Sequence, residues 1–151
     1  MQSRQHFSLL LVALQFGLMF MQLALAFPMA LASTIPAGAW LPAGLSLALA
    51  VWALAANRIG NFNIRPLPKP GGQLITHGPY RLIRHPMYTS VLLGALALAW
   101  TAGGALAWLT WGTLVLVLII KSILEERWMG EQHSGYAAYR VRTWRFLPGL
   151  F

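Results

Sequence analysis

Two groups of residues in this chain have types and spacing suited to chemistry. The first is His77-Gly-Pro-Tyr-Arg-Leu-Ile-Arg-His-Pro-Met-Tyr88, which puts two histidines, two arginines and two tyrosines into a short polar block between long uncharged stretches. The second is Lys121 with Glu125 and Glu126. The chain has three acidic residues in all, Glu125, Glu126 and Glu131, within seven positions of one another. Lys121 and Glu125 are four apart and share a face of any helix that carries them. A surface ion pair explains that pair cheaply. Against this, Lys121 follows an unbroken apolar run, where an ionisable group usually faces a cavity or a partner. Tyr80 or Tyr88 alone reads as an interfacial aromatic beside snorkelling arginines. The whole block does not, because lipid penalises polar groups that lack partners.

The elements that position these residues are membrane helices. The chain is 58% hydrophobic and 9% charged, with a mean hydropathy of +0.60, which excludes an ordinary soluble globule. No charge occurs from Phe7 to Asn57, nor from Pro86 to Ile120. Each stretch exceeds the roughly 20 residues of one crossing and is divided by turn formers. The expectation is an all-α integral membrane protein, one domain, with four helices at 7–27, 38–56, 87–101 and 104–124. A loop over 57–86 and a tail over 125–151 complete it. The third helix is short for a full span, so it is tilted, kinked or re-entrant, or extends backwards into the polar block.

The net charge of +8 does not point to nucleic acid. All eleven Lys and Arg residues fall before helix one, between helices two and three, or at and beyond the end of helix four. That asymmetry predicts both termini and the 57–86 loop on the cytoplasmic side, against anionic membrane lipid. The basic start and the Ala-Leu-Ala triplets at 24–26 and 30–32 imitate a secretory signal. The uncharged run is longer than a usual signal core, which favours an uncleaved anchor.

Pro66, Pro68, Pro70 and Gly71-Gly72 impose irregular backbone, with Gln73–Thr76 extended and Gly78-Pro79 a turn. Pro86 suits the first turn of helix three and keeps His85 extended at the helix mouth. The tail, with Tyr136, Tyr139, Trp144, Phe146 and Leu147 among arginines, reads as amphipathic interfacial structure or as a lid over a ligand. His6 and His133 have no supporting constellation and read as solvent-exposed, and His77 is ambiguous. No metal-ligand spacing is present apart from the adjacent glutamates. Neither a cysteine nor a nucleophile elbow is available for covalent catalysis.

The pattern Gly78-x-Tyr80-x-x-x-Arg84-His85-Pro86-x-Tyr88, followed by Glu125-Glu126, Tyr136-x-x-Tyr139 and Leu147-Pro148, resembles the isoprenylcysteine carboxyl methyltransferases and the related phospholipid methyltransferases. The likeness covers residues 57–148. It implies a membrane enzyme that uses S-adenosylmethionine without a soluble methyltransferase domain. By position, the resemblance puts Gln73, Leu74, Ile75, Tyr80, His85, Pro86, Met87, Tyr88 and Glu125 at the cofactor. It puts Lys121 and Arg84 at the substrate, with His85 and Lys121 as the catalytic pair. Either glutamate is a candidate for the cofactor ammonium.

Two departures stand out. Lys121 replaces the arginine of the carboxyl methyltransferases, keeping the charge but losing the bidentate fork. The Glu126–Tyr136 spacer is also one residue shorter and lacks Phe-Gly. The implied acceptor is a lipophilic small molecule or prenylated group. A carboxylate is already ionised and needs no base, unlike a protonated ethanolamine, although His85 is available as a base and a phosphate also attracts cations. Two readings of other classes compete: a sterol-type NADPH reductase, whose cofactor region has a similar Arg-x-Pro-x-Tyr element, and a membrane adaptor without catalysis.

Overall fold

The computed structural model describes residues 2–57 and 73–150 and is all-helical over them. The Pro66–Gly72 turn expected from sequence lies outside the described residues. Helix α1 is Gln2–Leu31, α2 Trp40–Ala56, α3 Pro86–Ala102, α4 Ala105–Gln132 and α5 Tyr136–Val141. Three helical stretches, Arg4–Leu31, Ala37–Ala56 and Ala105–Gln132, are long and apolar enough to cross a membrane. The outward face is rich in large apolar side chains, among them Phe20, Trp40, Leu41 and Leu109, as lipid contact requires. This is an integral membrane protein.

Helix α3 is the short one. Its 17 residues reach about 26 Å at about 1.5 Å each, slightly less than a bilayer core of about 30 Å. It does not extend back into the polar block. Pro86 forbids the helical conformation to the residue before it, and His85 accordingly sits at φ −124°, ψ 58°. Residues Gly78–Arg81 instead make a separate 3₁₀ turn. Gly103, at φ +71°, closes α3 in the left-handed conformation, and α4 begins two residues later.

Two helices outrun the sequence expectation. Helix α1 continues past Pro28, whose ring costs only a local hydrogen bond near the helix end. Helix α4 does not stop at residue 124 but carries Glu125, Glu126 and Glu131 on helical backbone to Gln132. Loss of hydropathy marks the edge of the membrane, not the end of the helix.

Helices α1 and α4 run antiparallel. Gln22 Nε2 donates to the Ala107 carbonyl at 2.9 Å near one end, and Arg4 meets Glu131 at 3.3 Å near the other. Helix α2 lies on α3, where Ser46 Oγ donates to the Ser90 carbonyl at 2.7 Å. A Cβ on Gly94 would stand 3.0 Å from that same hydroxyl, so small residues set the close approach. Trp111 Nε1 donates to the Leu92 carbonyl at 3.0 Å and ties α3 to α4. Ala95, Leu114 and Leu118 form the core, with Tyr88 packed against it.

Candidate functional site

The polar block is anchored first through backbone. Gly78, at φ +59°, lies so near α2 that a Cβ would come 2.6 Å from the Ala56 Cβ, so only glycine fits there. The far side is pinned by the tail. Trp144 N donates to the Leu82 carbonyl at 3.0 Å, Arg84 N to the Trp144 carbonyl at 2.7 Å and His85 N to the Arg145 carbonyl at 3.1 Å. Ile83 and Trp144 thus form one parallel bridge. Thr89 Oγ1 adds a bond to the Phe146 carbonyl at 3.0 Å, and the Tyr139 hydroxyl one to the Tyr80 carbonyl at 2.7 Å. Residues 144–146 are therefore stitched into the fold rather than laid over it as a lid.

Side chains then gather on Glu126, which is buried. Arg84 Nε donates to its Oε1 at 2.9 Å, and Arg145 donates from Nε at 3.0 Å and from its terminal nitrogen at 3.1 Å. His85 Nε2 lies 3.2 Å away, and Arg140 completes the ring as an ion pair at 3.6 Å. Arg84 also donates to the Thr143 and Arg140 carbonyls. Its guanidinium, expected at the acceptor, is committed to this knot.

Glu125, one residue earlier, is arranged differently. Its side chain is 32% exposed. It accepts one hydrogen bond, from the Tyr88 hydroxyl at 2.8 Å, and faces His85 Nδ1 at 3.8 Å. The His85 and Tyr88 rings stack in parallel with centroids 5.3 Å apart, and Phe146 closes on both. Lys121, one turn deeper, is fully buried. Its ammonium donates to Gln15 Oε1 of α1 and stands 5.2 Å from the centre of the Tyr88 ring. The pair of sequence readings for Lys121 thus resolves toward an interior position.

Tyr80 is pushed up to about 12, chiefly by burial and then by the Glu125 charge, against a hydrogen bond from Asn57 that lowers it. Burial also raises Tyr136 and Tyr139 well above the ordinary tyrosine value. These phenols stay neutral hydrogen-bonding groups at physiological pH.

The structure brings together His85, Tyr88, Lys121 and Glu125. It buries Pro86 under them and leaves Met87 half-buried at the mouth. Gln73 is exposed on extended backbone, with Leu74 and Ile75 half-buried beside it. His6 is exposed as expected, whereas His133 is half-buried, because it caps α4 and its carbonyl accepts from Tyr136 N at 3.0 Å.

Sequence reasoning missed Gln15, Arg145 and Thr143. A signal existed for the first: Ser8, Gln15 and Gln22 recur every seventh residue in an otherwise apolar helix and are all buried on one face. Nothing local marked the other two. Among the described residues, no three His, Asp or Glu side chains assemble as ligands for a metal ion.

Comparison with known proteins follows the same lines. A protein from Cupriavidus metallidurans, the cobalt-zinc-cadmium resistance protein CzcN, is 38% identical over 84 residues, a stretch that covers 51% of this chain and 36% of that protein. The chain thus matches about a third of that relative's length. No solved structure matches. The model of the phospholipid methyltransferase family matches residues 37–135, from the turn before α2 to the turn before α5. On that match the chain belongs to the phospholipid methyltransferase family of integral membrane methyltransferases, which includes the isoprenylcysteine methyltransferases.

Proposed function

We propose that the chain transfers a methyl group from S-adenosylmethionine to a lipophilic acceptor that enters laterally between helices, and that the methylated group is a carboxylate. One observation carries this reading. Of two adjacent glutamates, Glu126 is saturated by Arg84, Arg145, Arg140 and His85, while Glu125 keeps a half-open carboxylate with a single short hydrogen bond. The knot around the first fixes the second beside the stacked rings of His85 and Tyr88.

The donor set fits the cofactor. Glu125 has the charge and the free lone pairs to hold its ammonium, Tyr80 and Tyr88 offer aromatic surface, and Met87, Leu74 and Ile75 offer apolar surface for its adenosine. Gln73 adds a polar edge. When bound, S-adenosylmethionine supplies an electrophilic methyl group on a sulfonium whose charge disappears on transfer. The protein contributes positioning and dryness. Tyr88 orients Glu125 through its hydroxyl and shields the interior with its ring. Lys121 provides positive charge beneath Tyr88, suited to an anionic acceptor, and Gln15 orients it.

His85 presents one nitrogen to each glutamate, Nε2 at 3.2 Å and Nδ1 at 3.8 Å. A ring held this way is poorly placed to take a proton from a substrate. A carboxylate acceptor makes no such demand, and this favours it. The alternative, N-methylation of a phospholipid amine, is favoured by the description of the family. Family membership favours methyl transfer of either kind over the reductase and adaptor readings. The basic face is assigned to the cytoplasm, where the cofactor is made.

The test supplies the purified enzyme with lipid extract and methyl-labelled cofactor. Label released as methanol by mild base supports the ester, label retained on an amine replaces the acceptor, and no transfer with folded protein removes the proposal.

A further inference from the structure

A recess opens beside Glu126. It has a volume of about 570 Å³ and is lined by Glu126, Arg127 and Gly130 of α4, His133 and Ser134 of the connecting turn and Tyr136 and Arg140 of α5. On a helix turning about 100° per residue, Glu126, Gly130 and His133 share one face, while Lys121 and Glu125 occupy another. The recess is thus on a different face of α4 from Lys121 and Glu125.

Its charge is unbalanced. Three guanidiniums, of Arg84, Arg145 and Arg140, converge on the single carboxylate of Glu126. The sequence has only two other acidic side chains. Glu125 lies on another face of α4, beside Tyr88 and His85, and Glu131 pairs with Arg4 at 3.3 Å and Arg127 at 3.8 Å. Among the described residues, Glu126 is thus shared by three guanidiniums. Of the three guanidiniums on Glu126, that of Arg140 has the longest contact, 3.6 Å, and its side chain is 60% exposed, open to the recess. The Arg127 side chain, 72% exposed and 3.8 Å from Glu131, also lines the recess. Two arginines, a serine hydroxyl and a histidine around a hollow form a donor set for a phosphate oxyanion.

The surroundings identify the source of that anion. Val141 at the rim is 88% exposed, and Trp144, Leu147 and Leu150 of the adjoining tail also turn apolar surface outward. Such side chains beside a basic hollow suit the boundary between headgroups and acyl chains, not open water.

We propose that this recess is a binding site for the phosphate headgroup of an anionic phospholipid, separate from the site of methyl transfer, with Arg127 and Arg140 as its clamp and the exposed tail residues against its acyl chains.

The test titrates the detergent-purified full chain with dioctanoyl-phosphatidylglycerol, dioctanoyl-phosphatidylcholine and inorganic phosphate, followed by native mass spectrometry and calorimetry. The anionic lipid is expected to bind at one equivalent, at least about tenfold more tightly than either of the others. Arg127→Glu, a surface change, is expected to weaken it by at least about tenfold while leaving S-adenosylhomocysteine binding unchanged. Arg140→Gln is expected to weaken it similarly, and a thermal melt checks its fold. If that variant does not fold, Arg127→Glu alone decides the matter. Equal affinity for the anionic lipid in wild type and Arg127→Glu would overturn the proposal. So would phosphatidylcholine binding as tightly, or inorganic phosphate doing so, which would make the recess a site for a free anion.

Discussion

Glu125 and Glu126 are adjacent and chemically identical, and the same substitution at each is expected to give opposite results. Glu126→Gln removes the charge that faces the Arg84 and Arg145 side chains, which are only 10% and 13% exposed. The amide accepts on one side but presents a donor to a donor on the other. Breaking a buried ion cluster by removing one partner costs about 3–5 kcal/mol. At about 2–4 °C per kcal/mol for a chain of this size, the melting temperature should fall by about 6–20 °C. Glu125→Gln keeps an acceptor for the Tyr88 hydroxyl on a side chain that is 32% exposed, so its stability cost should be at most about 1 kcal/mol. Its ligand effect is the larger one. A charge-assisted contact to the cofactor ammonium contributes about 1.5–3 kcal/mol, so S-adenosylhomocysteine should bind about 10–100-fold more weakly. The assay is a thermal melt and a calorimetric titration of both variants in one detergent. A Glu126→Gln protein as stable as wild type would refute the reasoning about the knot. A folded Glu125→Gln protein with unaltered affinity would refute the reasoning about the mouth.

Gly78→Ala should lower stability by about 1–3 kcal/mol, since it forces a side chain onto Ala56 at a left-handed backbone position; denaturant or thermal melts check it. Gln15→Leu takes an acceptor from the buried Lys121 ammonium and should cost about 1–3 kcal/mol, whereas substitution of lipid-facing Phe16 by Leu should cost almost nothing. Tyr139→Phe removes the hydroxyl that holds the Tyr80 carbonyl and should lower the melting temperature by a few degrees without abolishing the fold. The alkaline limit follows from the tyrosines. With Tyr80 raised to about 12 in the folded state, the neutral phenol contributes stability below pH about 10 that is lost as pH climbs through about 12. Tyr136 and Tyr139 act in the same direction. Tyrosinate absorbance near 295 nm should therefore lag behind that of the unfolded chain, and an early rise would contradict it.

How much of this was legible differs from residue to residue. Pro86 announced the start of α3, and Gly103-Gly104 the α3–α4 turn, because each acts through its own backbone. The meeting of Tyr88 with Glu125 was legible only through the resemblance, since their separation in sequence gives no local cue. The end of α4 is not legible from the onset of charge, because Arg127 and Glu131 are an i,i+4 pair that helical backbone favours. The grip of residues 144–146 on 82–85 was hidden for a different reason. It is main-chain pairing, indifferent to side-chain type, and a single bridge has no periodicity to detect.

That bridge also imposes an order of assembly. Residues 143–146 leave the ribosome after helices α1 to α4, and they bring Arg145 to Glu126 and the Trp144 carbonyl to Arg84 N. Until they dock, the end of α4 exposes a carboxylate with part of its retinue missing and a polar loop with unpaired amides. A chain in which these residues have not docked therefore presents an unfinished polar surface around Glu126. Completion of the site therefore waits on residues 143–146.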